Sequence, residues 1–155
     1  MRRKAIIAGL FLLSIALGAL REFLFINLNY QLDHVARQTQ VSYAHSQFQY
    51  WVSGWNGSGL TLLKWSFTVV FVGIMGVIAT FLLRTLVGDH RYTRVMAAGV
   101  ALVALLALAL HLAASPMPPL AGAAVHLIHL LQYPALPMLV LLAWFAGRQG
   151  QPADR

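Results

Sequence analysis

Four apolar segments, each long enough to cross a lipid bilayer, dominate this sequence. The hydrocarbon core of a bilayer is about 30 Å thick, and a helix needs roughly 20 apolar residues to cross it. The four segments run approximately over residues 5–28, 60–83, 95–114 and 120–147. They predict an all-α integral membrane protein, a bundle of four transmembrane helices that forms one domain over residues 1–155.

The composition agrees with a protein that folds in lipid. Hydrophobic residues make up 59% of the chain and charged residues 10%, which is too little polar surface for a water-soluble domain of this size. The absence of cysteine excludes disulfides and thiolate chemistry. A net charge of +7 would suggest nucleic acid for a soluble protein, but membrane proteins reach it through basic cytoplasmic loops. We therefore expect the lipid bilayer, and no nucleic acid, as a partner.

The positions of the basic residues predict that both termini are cytoplasmic. With the N-terminus inside, eight of the Lys and Arg residues fall on the cytoplasmic side, and only Arg21, Arg37 and Lys64 lie on or near the other side. The expected protein is a multi-pass protein of the plasma (inner) membrane. Its connections are then an outer loop over 30–59, an inner turn over 88–94, an outer turn over 115–119 and a cytoplasmic tail over 148–155.

A cleaved signal peptide is the alternative interpretation of the N-terminus. MRRK is a basic start, and ALGAL offers small residues where a peptidase could cut. The apolar run resumes after Arg21 as FLFINL, however, and removal would leave three spans without the basic anchor. We therefore expect the first helix to be retained.

The outer loop contains a second helical pattern. Within VSYAHSQFQYWVSGW, the apolar residues Val41, Ala44, Phe48, Trp51 and Trp55 recur at spacings of three and four. Trp and Tyr favour the headgroup region of a bilayer, because an apolar ring and a polar atom are both accommodated there. The pattern predicts a short interfacial amphipathic helix between the first and second spans.

Two prolines interrupt the fourth segment. Pro134 and Pro137, in QYPALP, each lack a backbone N–H and push against the preceding turn. They predict a kink close to residues 130–133.

The first segment carries two adjacent charges, Arg21 and Glu22, in an otherwise apolar run. A charge at the bilayer centre costs about 3 kcal/mol, so such residues pair, face the bundle or reach the interface. At about 100° per residue, one side of the helix carries Ser14, Gly18, Arg21, Glu22, Phe25 and Asn29. Because small residues allow another helix to approach, we expect this side to face the bundle, with the charges in its outer half.

Polar residues of the other spans fall at the same depth once the topology is fixed. Lys64 lies near the outer end of the second span, His111 near that of the third, and His126 and His129 in the fourth. The candidates for ligand binding or proton relay are Arg21, Glu22, Asn29, Lys64, His111, His126, His129 and Tyr133. We expect them to form a polar cluster open toward the outer face.

Several functions are compatible with such a cluster. Glu22, His111, His126 and His129 are candidate ligands for zinc or non-haem iron, although Arg21 and Lys64 oppose a cation. Haem between His111 and His126 is a further possibility, although nothing in the sequence marks a haem pocket. The cluster could instead relay protons or bind an anionic headgroup, a quinone or a substrate carboxylate.

The remaining interpretation is structural, and it is our first expectation. The polar residues then fix the order of the helices, and the chain is an accessory, assembly or scaffold subunit with a membrane-protein partner or a second copy. No cofactor and no enzymatic activity are expected in that case. The sequence has no phosphate-binding loop, hydrolase elbow or zincin helix, so nucleotide and protease functions have no support.

Overall fold

The computed structural model describes residues 2–88, 90–114 and 119–149, and the regular secondary structure of these residues is entirely α-helical. The helices are α1 (Arg2–Arg37), α2 (Ser46–Trp51), α3 (Gly57–Val87), α4 (His90–Ala113), α5 (Pro119–Gln132) and α6 (Ala135–Gln149). Three of them, α1, α3 and α4, are long and apolar enough to cross a membrane, and α5 with α6 forms a fourth candidate that is bent. The fold is therefore that of a helical protein with three to four candidate membrane spans.

Parts of the predicted connections lie outside the described residues. These are Asp89 of the inner turn, residues 115–118 of the outer turn and residues 150–155 of the tail. Helix α1 continues to Arg37, well beyond the predicted end of the first span, so the connection between α1 and α3 is shorter than expected.

The start of α1 and the end of α3 lie at the same end of the bundle. The Arg3 side chain donates hydrogen bonds to the backbone oxygens of Thr85 and Leu86, at 2.7 and 2.6 Å. These carbonyls belong to the last turn of α3, which has no intrahelical donors for them and carries the negative end of the helix dipole. Gly88 then ends the helix with a left-handed backbone, φ 81°, which glycine adopts without steric cost. Helices α1 and α3 therefore run antiparallel.

Helix α3 is the central element of the bundle. It packs against α1, α4, α5 and α6, and α4 packs against α5. One buried cluster lies near α2 and contains Leu28, Ala44, Phe48, Val52 and Leu60. A second lies toward the opposite end and contains Ala79, Leu82, Leu86 and Val140. Between these two levels lies the break in the last candidate span.

Helix α2 is shorter than the predicted amphipathic helix. Residues 38–45 are not helical, and the His45 side chain caps α2 by accepting from the Gln47 N–H, so helical spacing begins only at Ser46. Ala44, Phe48 and Val52 are buried against the bundle. Val41, Trp51 and Trp55, which belong to the predicted apolar stripe, are exposed on the outside of the protein.

The predicted kink in the fourth apolar segment is confirmed. Helix α5 ends at Gln132 and α6 begins at Ala135, with a bend of 66° between them. Pro134 has no N–H with which to continue α5, whereas Pro137 lies in the first turn of α6, where backbone N–H groups lack intrahelical acceptors in any case. Helix α1 crosses this break closely, because a Cβ on Gly18 would lie 2.9 Å from Cδ of Pro134.

Candidate functional site

The largest cavity that borders the predicted polar residues lies between α1, α3, α4 and α5. It has a volume of about 610 Å³ and lies at the end of the bundle that carries α2. Its floor is the α5–α6 break, at the level of Arg21 on α1, and its mouth is near Asn29, Thr61 and His111. The break itself, a bend of 66° between α5 and α6, lies next to Gln132 and Tyr133 in the cavity lining.

The floor of the cavity is organised by Arg21, whose side chain is 4% exposed. Its Nε and Nη2 atoms donate to Oε1 of Gln132, at 3.2 and 2.8 Å. Its Nη1 donates to Oε2 of Glu22 at 3.0 Å and to the hydroxyl of Tyr133 at 2.8 Å. The guanidinium also lies over the rings of Phe25 and Tyr133, with its Cζ atom 4.4 and 4.5 Å from their centroids. The guanidinium can bind all these partners together because it is planar and carries five N–H donors.

Arg21 and Glu22 form a neutral unit in the cavity floor. Glu22 accepts from Arg21 and also from the hydroxyl of Tyr133, so its carboxylate is stabilised by two donors. Gln132, which is fully buried, accepts from Arg21 and donates from Nε2 to the Thr68 backbone oxygen at 3.5 Å. The break in the last span is thereby attached to both α1 and α3. We call Arg21, Glu22, Gln132 and Tyr133 the polar floor.

Lys64 lines the same cavity from α3, and no carboxylate of the described residues pairs with it. Its Nζ donates to Oδ1 of Asn29 at 2.8 Å, on the opposite wall. Among the described residues the ion pairs within 4 Å are those of Arg21 with Glu22 and of Arg37 with Asp33, and neither includes Lys64. With Arg21 neutralised by Glu22, the cavity carries one uncompensated positive charge when its histidines are neutral.

The three predicted histidines occupy different surroundings. His129 and His111 line the cavity, where their rings contact Tyr133 and Trp65 edge-on, with centroids 5.7 and 4.8 Å apart. His126 is exposed and is not part of the cavity wall. Positions 126 and 129 differ by about 60° around a helix, which is enough to place one on the cavity side of α5 and the other outside it.

The metal candidates do not come together. Over residues 2–88, 90–114 and 119–149, no three His, Cys, Asp or Glu side chains are arranged to hold a metal ion. Glu22 is engaged by Arg21 and Tyr133, and His126 is exposed and does not line the cavity. The geometry thus gives neither a metal nor a haem site any support.

Sequence reasoning missed some of the residues that shape this end of the bundle. Asn27 is buried, donates to the Phe23 backbone oxygen at 2.7 Å and accepts from the backbone N–H of His45, which attaches the start of α2 to α1. A polar residue within the apolar run FINL was the available signal. Thr61 and Trp65 also line the cavity; Thr61 lies three residues before Lys64, on the same side of α3, and Trp65 is the next residue along the chain.

Comparison of the chain with protein-family models, with curated proteins and with solved structures gave no match. The function must therefore be inferred from the geometry of the cavity.

Proposed function

We propose that this chain is a four-span membrane protein that binds an anionic group in a pocket in its outer half. The pocket is the cavity above the polar floor, and Lys64 is its principal anion-binding residue. Asn29, across the cavity from Lys64, holds the ammonium in place and supplies an amide donor of its own.

The proposed orientation places both termini in the cytoplasm of a cell whose plasma (inner) membrane holds the protein. Arg3 lies at the end of the bundle opposite the cavity, next to the last turn of α3, which also carries Arg84. Basic residues favour the cytoplasmic side, so the cavity end is then the outer end. In this arrangement α5 and α6 form one bent span.

The observation that carries the proposal is the unpaired Lys64 on a cavity wall. Ionisable residues within membrane spans are costly, and they pair with one another or line a polar cavity. The cavity wall includes a carboxylate, Glu22, but Arg21 and Tyr133 already engage it. Lys64 therefore lacks a counter-ion among the described residues, and an anionic ligand would supply it.

Other functions receive less support from the same contacts. A proton relay needs a chain of hydrogen bonds, but the contacts found for His111 and His129 are ring contacts with Trp65 and Tyr133. A quinone would not compensate the charge of Lys64. The accessory or assembly role predicted from the sequence stays a prediction, and copurification from the native membrane would test it.

A Lys64→Gln substitution tests the anion site. Glutamine retains a hydrogen-bonding partner for Asn29 but removes the charge. A hydrogen bond to a charged group contributes about 1.5 to 3 kcal/mol, so we expect the affinity for glycerol phosphate to fall about 10- to 100-fold. The measurement is the thermal stabilisation of the detergent-solubilised protein by glycerol phosphate, at constant ionic strength.

Two controls separate binding from folding. Lys4→Gln removes the other lysine of the chain, which lies near the start of α1 at the opposite end, and should leave the affinity unchanged. Lys64→Arg keeps the charge and should retain most of the binding. If Lys64→Gln binds glycerol phosphate as well as the wild type does, or if the wild type does not bind it, the proposed function is wrong.

A further inference from the structure

We infer that the pocket opens sideways into the bilayer between α1 and α5, and that its anionic ligand is the phosphate head of a membrane lipid. This inference rests on the proposed anion site and adds the source of the anion. It follows from how the helices around the cavity are packed, from what lines the opening, and from the depth of Lys64.

The packing leaves α1 and α5 apart. Among the described residues both helices pack against α3, and α5 also packs against α4, but α1 and α5 do not form a packed pair of their own. They are connected at the floor, where Arg21 donates to Gln132 at the last residue of α5. Above the floor the cavity lies between α1 and α5, and residues of both helices line it. We call the resulting opening the α1–α5 gap.

Apolar side chains border this gap. Ile26 of α1 and Val125 of α5 both line the cavity and are both also exposed on the outside of the bundle, at 42% and 46%. Because each of these residues lies both in the cavity wall and on the outer surface, the cavity is open to the outside of the bundle at this place. Phe25 and Ile128 continue the apolar lining inward. A free anion gains nothing from such an opening, whereas the acyl chains of a lipid need one.

The depth of Lys64 suits a lipid head. Lys64 lies seven residues after the start of α3 at Gly57, or about 10 Å along the helix. Trp55 lies two residues before the start of α3 and is exposed, as a residue of the headgroup region would be. A phosphate at Lys64 would therefore lie slightly below the headgroup layer, with its chains able to pass through the α1–α5 gap into the hydrocarbon. The charge of Lys64 thus suits the phosphate of a lipid, and the apolar lining of the α1–α5 gap suits its acyl chains.

The experiment fills the gap without touching the anion contacts. Ile26→Trp and Val125→Trp each place a large side chain at the opening, and Leu102→Trp is the control, because Leu102 is exposed on α4 and does not line the cavity. Each protein is reconstituted in phosphatidylcholine nanodiscs with a minor fraction of phosphatidylglycerol. The phosphatidylglycerol that stays bound is counted by native mass spectrometry after release from the disc. Glycerol phosphate binding in detergent is measured on the same proteins.

The expected result is that wild type and Leu102→Trp retain phosphatidylglycerol, while Ile26→Trp and Val125→Trp lose most of it yet still bind glycerol phosphate through the mouth of the cavity. If both gap variants retain the lipid, the opening is not between α1 and α5. If the wild type binds glycerol phosphate but no phosphatidylglycerol, the anion comes from water and the lipid inference fails, while the anion site stands. Failure of the wild type to bind either ligand overturns the anion site itself.

Discussion

Arg21→Leu is expected to lower the free energy of unfolding by about 2 to 3 kcal/mol, because a buried acceptor left unsatisfied costs about 1 to 3 kcal/mol. The substitution leaves Oε1 of Gln132, a fully buried side chain, without the two donors it now has. The Glu22 side chain is 47% exposed and keeps the hydrogen bond from the Tyr133 hydroxyl, so the loss of its cation adds little. Equilibrium unfolding in mixed micelles, with a denaturing detergent as the variable, measures the change.

Arg37 provides a matched control on the same helix. It pairs with Asp33 at 2.7 Å, but the two side chains are 73% and 51% exposed, so Arg37→Leu should change stability little. Arg21→Lys should fall between the two, because an ammonium keeps the charge but cannot reach Gln132, Glu22 and Tyr133 together.

A double substitution identifies the cause of the loss. Replacing both Arg21 and Gln132 by Leu removes the donor and the buried acceptor together, and should cost less than the sum of the single changes. Equal losses in Arg21→Leu and Arg37→Leu would show that the polar floor does not hold the helices together.

Gly18→Leu is the second substitution with a large expected effect. A Cβ at this position would lie 2.9 Å from Cδ of Pro134, and a proline ring cannot rotate out of the way. Overpacking a core commonly costs about 1 to 3 kcal/mol, and we expect the upper end, because the clash pushes α1 away from the break that carries Gln132 and Tyr133. The loss should appear as a lower midpoint of thermal unfolding in detergent.

Gly9→Leu is the control for helix propensity and side-chain size. Gly9 lies on the same helix, and a Cβ there would meet nothing within 4 Å. It should be neutral or slightly stabilising, since leucine is the better helix former. If the two glycine variants behave alike, α1 does not contact the break as described.

The sequence allowed the prediction of the helices and of the side of α1 that faces inward, because both depend on periodicity. Ser14, Arg21 and Phe25, on the predicted side, are buried. The proline chemistry of QYPALP likewise located the break to within a few residues. These features depend on residues close together in the sequence. A lipid environment also limits the chain to few structures other than helices, because backbone polar groups must be hydrogen-bonded within the protein.

Features that depend on how helices pack against one another could not be predicted in the same way. The rotation of α5 about its own axis decides that His129 lines the cavity and His126 does not, and the spacing of the two residues alone does not fix that rotation. The engagement of Glu22 by Arg21 and Tyr133, rather than by Lys64, likewise depends on which helices are neighbours. The length of α2 was overestimated because residues 38–45 are not helical and the helix begins only at Ser46.

The proposal that Lys64 binds a lipid phosphate is tested most directly by a solid-state NMR measurement of ¹⁵N–³¹P dipolar coupling. The chain has two lysines, so a Lys4→Arg variant labelled with ¹⁵Nζ-lysine gives one signal, that of Lys64. In bilayers of phosphatidylcholine with phosphatidylglycerol, we expect ³¹P dephasing of this signal at direct-contact distance, and its loss when Ile26→Trp closes the α1–α5 gap. Absence of dephasing in the open protein, or dephasing that Ile26→Trp leaves unchanged, would contradict a lipid phosphate held in the pocket.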